Sequence, residues 1–172
     1  MQVFSAFPAE NDENWLIYGG VQVRCALGRS GVIGARDKRE GDGFSPAGLW
    51  PLRRVMWRSD RGMPPVTVFP LSEIQPDDGW SDASDDPKYN QPVKHPHPFS
   101  AEKMWRDDGL YDIVVILGHN DDPVVAGMGS AIFLHCAHAD YRPTQGCVAL
   151  ARADLVALLG IAHMGASIEI SG

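Results

Sequence analysis

The stretch HCAHADYRPTQGCVAL, from His135 to Leu150, holds two histidines and two cysteines. These residue types at this spacing allow a metal site, a nucleophile with its base, a disulfide or plain core packing. Cys147 is distinguished by its setting: Gly146 precedes it, and Pro143 opens a turn just before. A nucleophile needs exposure, a base and donors for a developing oxyanion. A glycine next to the thiol lets a substrate carbonyl approach the backbone, where the N–H groups of Gly146 and Cys147 can hold the negative charge. His135 supplies the base if residues 136–146 loop back to the end of its strand. A thiol with an ordinary pKa of about 8.5 is mostly protonated at neutral pH, and a neighbouring imidazolium lowers that value.

The other readings meet specific obstacles. In an extended AIFLHCAH segment successive side chains point to opposite faces, so His135 and His138 face apart and Cys136 points away from His135. The His-x-x-His spacing suits a helix, and no Cys-x-x-Cys pair completes a zinc site. A Cys136–Cys147 disulfide is open on loop length, but it needs Cα atoms within about 7 Å and an oxidising compartment. Packing suits Cys136, beside an apolar run, and Cys25 on its own strand, because free cysteine behaves as a small hydrophobe. His138 and His163 read as surface or loop residues, as do His95 and His97 in KHPHPF; His119, in GHND, is a loop histidine within reach of a groove.

The elements that must position these residues are mainly strands. YDIVVIL (Tyr111 to Leu117) and AIFLH (Ala131 to His135) are short apolar runs that read as buried strands. Val21, Val23, Cys25 and Leu27 alternate with Gln22, Arg24 and Ala26, the period of a half-buried strand. LWPLRRVMWR reads as another, with Pro51 restricted to an edge or an end. Gly28 to Gly48 reads as loops and tight turns, and Ser72 to Pro98, rich in Asp, Pro and Ser, as one long loop. Ser100 caps a short helix through about Asp108, closed by Gly109. Leu155, Leu158, Leu159 and Ala162 recur at helical spacing and mark an amphipathic helix from about Arg152 to near Gly165. ASIEI forms a final strand. The chain shows no internal repeat and no domain boundary, so residues 1–172 read as a single, mainly β domain with one clear helix and a short second one.

Composition narrows the function classes. A length of 172 residues supports one domain with a proper core. A formal charge of −7 disfavours nucleic acid or an anionic membrane as partner. No apolar run approaches the ~20 residues of a membrane span. The first residues, MQVFSAFPAENDENWLIYGG, lack the basic start and long apolar stretch of a secretory signal, which points to the cytoplasm; a removed leader would point to the periplasm. The odd count of three cysteines leaves at least one thiol unpaired.

At His135, Thr144, Gly146 and Cys147 the chain resembles the catalytic domain of the L,D-transpeptidases, the YkuD-type family. That family carries a histidine, a short variable segment, Ser or Thr, any residue, Gly and the nucleophilic Cys. KREGDGFSPAG (Lys38 to Gly48) resembles the family's upstream Thr/Ser-Pro-x-Gly turn, DLVALLG its helix after the cysteine, and ASIEI its closing strand. The resemblance runs from about Leu16 to Ile170. It implies a compact β-sandwich or barrel with the cysteine in a groove, in a bacterial enzyme that uses no metal and no cofactor.

The chemistry implied is acyl transfer on a peptidoglycan tetrapeptide. The bond after the L-centre of diaminopimelate is attacked, D-Ala leaves and a thioester forms. An amine then takes the acyl group, or water does in an L,D-carboxypeptidase that trims recycled muropeptides. Carried over by residue, Cys147 is the nucleophile and His135 its base, the Gly146 and Cys147 amides form the oxyanion hole, and Thr144 supports the turn or binds substrate. Many members have His at Gln145 and Arg at Ala149; Arg142 or Arg152 takes that arginine's place. Gln145, Arg142 and His119 are further substrate contacts, and the acidic loop from Asp77 to Asp86 is expected to cover the groove, with Asp85 and Asp86 holding the diaminopimelate ammonium. The partner is a stem peptide or muropeptide, and a monomer is expected. The rivals are a binding domain of the same fold and a zinc protein. Papain-like and amidase-type cysteine hydrolases place Cys before His, the reverse of the order here.

Overall fold

A computed structural model describes residues 1–10 and 13–172 of the chain. Its strands are β1 (Val3–Pro8), β2 (Asn14–Tyr18), β3 (Val21–Ala26), β4 (Val32–Gly34), β5 (Ser45–Trp57), β6 (Leu71–Glu73), β7 (Asp78–Ser81), β8 (Pro92–Lys94), β9 (Ala101–Lys103), β10 (Ile113–Leu117), β11 (Phe133–Cys136), β12 (Val148–Leu150) and β13 (Ser167–Ile170). One α-helix, α1 (Arg152–Ile161), lies between β12 and β13. The main sheet runs β10-β11-β12-β3-β2-β1-β13-β5-β4. Because β5 also pairs with β10, the sheet closes on itself like a barrel. A second sheet, β8-β7-β9, has three strands.

Period-two alternation sorts the side chains of β10, β11 and β12 onto two faces. Ile113, Val115, Leu117, Leu134, Cys136, Val148 and Leu150 join one core with Leu155, Leu158 and Leu159 of α1. Val114, Ile116, Phe133 and Cys147 belong to another, with Trp80 of β7 and Met104 just after β9. Trp80 meets Phe133 edge-on at 5.1 Å, which seats the small sheet on this second face.

The structure departs from the sequence expectations at several places. Residues 72–98 are no single long loop, since β7 and β8 lie within them. The helix expected over Ser100 to Asp108 is absent: Ala101 and Glu102 pair with Ser81 and Trp80, and Met104 is fully buried. Cross-strand bonding and burial there outweigh a cap signal that had no amphipathic stripe to support it. Gly109, at φ +79°, serves a turn instead. Pro51 lies inside the long β5, not at an end, where the strand changes partners from β13 to β10 beside a register shift at Ile116/Leu117. A missing N–H is tolerated at such an irregularity. Finally, α1 stops at Ile161, and the buried Ala162 already has extended backbone.

Candidate active site

β11 and β12 run parallel, with Leu134 opposite Val148, His135 opposite Ala149 and Cys136 opposite Leu150. Registered partners share a face, so His135 and Ala149 point the same way. Cys147, two residues before Ala149, shares that face by alternation. Cys136 points into the opposite core. All three cysteines are free, and the opposed faces of Cys136 and Cys147 give the physical reason why this pair is not bridged. Among the described residues no group of three or more His, Cys, Asp or Glu is arranged to hold a metal ion.

His135 and Cys147 both line a cavity of about 540 Å³, together with Tyr111, Arg142, Thr144 and Gln145. Cys147 is 8% exposed and His135 5%. His135 Nδ1 lies 2.8 Å from the Cys136 carbonyl oxygen. A carbonyl only accepts, so Nδ1 carries the hydrogen and Nε2 keeps its lone pair. Burial pushes His135 down to about 4 and Cys147 up to about 12. The resting pair is therefore neutral thiol and neutral imidazole, not the thiolate and imidazolium that the sequence suggested. Desolvation disfavours both charged forms. The Sγ donates to the Ala131 carbonyl at 3.2 Å and accepts the Phe133 N–H at 3.5 Å.

The turn before Cys147 is held from several sides. Gly146 sits at φ +134°, and a Cβ there would come within 2.8 Å of the Phe44 carbonyl oxygen. Only glycine fits that conformation and that gap. The Gly146 N–H donates to Thr144 Oγ1 at 3.1 Å, and Thr144 Oγ1 donates to the Cys147 carbonyl at 2.7 Å. Thr144 thus supports the turn. The Gly146 amide is engaged, which corrects the expectation that it stands free for an oxyanion. Fully buried Ser45, at the start of β5, accepts the Gly28 N–H at 2.9 Å and donates to the Gly146 carbonyl at 2.9 Å. The Ser-Pro-x-Gly element is therefore the buttress of the cysteine turn.

The remaining expected contacts divide. Gln145 and Arg142 are exposed at the cavity, with Arg142 Nη2 2.9 Å from His138 Nδ1. Arg152 does not line it, so of the two arginines only Arg142 can serve there. His119 is not on the cavity wall: it is buried edge-on to Trp50 at 4.7 Å, with Nε2 3.1 Å from the Met128 carbonyl. Asp85 is exposed away from the cavity. Asp86 is buried and accepts from Ser81 Oγ at 2.5 Å, His97 Nε2 at 2.6 Å and the Lys88 N–H at 2.8 Å. Burial alone would raise its pKa, but these donors hold it at about 2. Neither aspartate is an ammonium site.

Sequence reasoning missed Lys38, Glu40, Glu102, Arg106 and Tyr111, which also line the cavity; Asp82, from the acidic stretch expected over the groove, lines it too. Lys38 is paired with Asp42 at 2.5 Å. Arg106 binds Asp108 at 2.5 Å. No spacing rule links these residues, because they come from separate segments that meet only when the small sheet docks.

A closed β sheet with a thiol and an imidazole on one face, under a smaller covering sheet, defines the class of this molecule. The profile of the L,D-transpeptidase catalytic domain, YkuD, matches residues 10–170, and the chain belongs to that family. No curated protein matches it. Among solved structures it is similar to an L,D-transpeptidase (Yku) from Stackebrandtia nassauensis, at 12% identity and a TM-score of 0.37, covering 98% of this chain and 55% of that one. It is also similar to the helical cell shape determining protein Pgp2 from Campylobacter jejuni, at 13% identity and a TM-score of 0.43, covering 98% and 47%. The chain thus spans about half the length of these structures.

Proposed function

We propose that the chain is a cysteine acyltransferase of peptidoglycan tetrapeptide stems. One observation carries the reading: Cys147 and His135 share a face and a cavity, with His135 Nε2 left open by the Nδ1 bond to Cys136. The Sγ turns from the Ala131 carbonyl toward Nε2. As sulfur attacks the carbonyl after the L-centre of diaminopimelate, Nε2 takes the thiol proton. With Gly146 engaged, the Cys147 amide is the backbone donor beside the oxyanion. The C–N bond then breaks, and D-Ala leaves as an amine with the proton returned by Nε2. An amine acceptor attacks the thioester and passes its proton to His135; the C–S bond breaks, and Nε2 returns that proton to the sulfur to restore the thiol. Water in place of the amine yields the trimmed tripeptide. Arg142 is the exposed cation at the cavity and takes a substrate carboxylate.

The test is incubation with a disaccharide tetrapeptide, followed by mass analysis. A cross-linked dimer or a tripeptide with free D-Ala supports the reading and tells its two outcomes apart. A carbapenem should add its mass to Cys147 and not to the Cys147→Ala variant. Folded protein with neither adduct nor product would overturn it.

A further inference from the structure

Tyr111 is 4% exposed and lies where several groups converge. Its ring is edge-on to His135 with centroids 5.2 Å apart, and edge-on to Phe133 at 6.0 Å. The Arg106 guanidinium sits 5.0 Å from the ring centre. The Tyr111 hydroxyl donates to Glu102 Oε1. Glu102 belongs to β9 of the covering sheet, whereas His135 belongs to β11 of the main sheet. The preceding Leu110 carbonyl accepts the Cys136 N–H at 3.0 Å, which fixes this segment against the end of β11.

We propose that Tyr111 is a positioning residue for the His135 base, and that Glu102 holds it in place from the covering sheet. The imidazole has one anchor of its own, the Nδ1 bond to Cys136. One hydrogen bond leaves a ring free to rock about it; a packed aromatic wall removes that freedom and keeps Nε2 directed at the cavity. The wall is itself fixed at its far end, because the hydroxyl is tied to a carboxylate that β7 pairing holds in register. The charges acting on His135 are Arg106 and His138, which disfavour its protonation, and Asp108, which favours it. The role of Glu102 is to accept a hydrogen bond, which an amide oxygen does equally well.

The proposal rests on His135 acting as the base, so its test needs a readout independent of turnover. In the full chain, the Nδ1–H proton of His135 followed by NMR should exchange slowly, remain so in Glu102→Gln and broaden or vanish in Glu102→Ala. On the tetrapeptide, Glu102→Ala and Tyr111→Phe should each lose about 10–100-fold in kcat with KM moved less than about threefold, while Glu102→Gln stays within about threefold of the parent. An unchanged Nδ1–H signal in Glu102→Ala would overturn the proposal. So would a Glu102→Gln variant as impaired as Glu102→Ala, since that would assign the role to charge. A parent that turns over no substrate would defeat the acyltransferase reading, yet the NMR comparison would still decide this one.

Discussion

The two faces of β10, β11 and β12 are written in alternate residues of the same strands, yet they reach different ends. The face toward α1 is apolar throughout and closes completely: Leu134, Val148, Leu150 and the α1 leucines are at most 1% exposed. The opposite face begins as a core around Phe133 and Trp80 but ends in a cavity beside His135 and Cys147. A helix supplies a continuous stripe of leucines. A short sheet of three-residue and four-residue strands brings Glu102 and Asp82 with its tryptophan, and polar groups leave open volume. Burial on the second face is thus deep enough to hold thiol and imidazole neutral and incomplete enough to admit a ligand.

Substitutions on each face break this contrast to different degrees. The largest effect is expected for Cys147→Ala, which should abolish product formation while near-UV circular dichroism stays that of the parent. His135→Gln should follow, with kcat/KM lower by about 10²–10⁴-fold and the fold intact, since proton transfer is lost but the cavity remains. On the other face, Leu158→Ala should cost about 2–5 kcal/mol in urea unfolding, with kcat per folded molecule unchanged. A large loss of kcat in that variant would show that the two faces are not separable.

Acid should weaken the second face through His135. Unfolded histidine titrates near 6.5, whereas in the folded chain burial holds His135 at about 4. Between those values the unfolded state binds more protons, so stability falls as pH drops through this window, by at most about 3.5 kcal/mol. Urea titrations at pH 7 and pH 4.5 check this, and His135→Gln should flatten the difference. Ser45→Ala should have the smallest effect, about 1–3 kcal/mol, because it strips partners from the buried Gly28 amide and the Gly146 carbonyl. A loss of activity beyond its loss of stability would sharpen the buttress role.

Much of the scaffold was legible in the chain. YDIVVIL and AIFLH became β10 and β11, and the leucine spacing after Cys147 became α1. The strand after Gly48 began earlier than expected, because Ser45 to Gly48 already pair in β5. The covering sheet was misread because its strands are too short and polar to show a period. His119 and Asp86 were misplaced for a related reason: histidine and aspartate carry the same signal in a loop whether they meet a ligand or a carbonyl.

The sequence by itself determined the order His135, Thr144, Gly146, Cys147, the alternation within each strand, and the family. Those are local properties, set by backbone period and by the one residue that tolerates the Gly146 conformation. Only the tertiary structure decided that the pair rests uncharged, that the Gly146 amide is spent on Thr144, and that Tyr111 and Glu102 meet beside His135. Each depends on which distant segments exclude water from the site, and desolvation belongs to the assembled surfaces rather than to any stretch of chain.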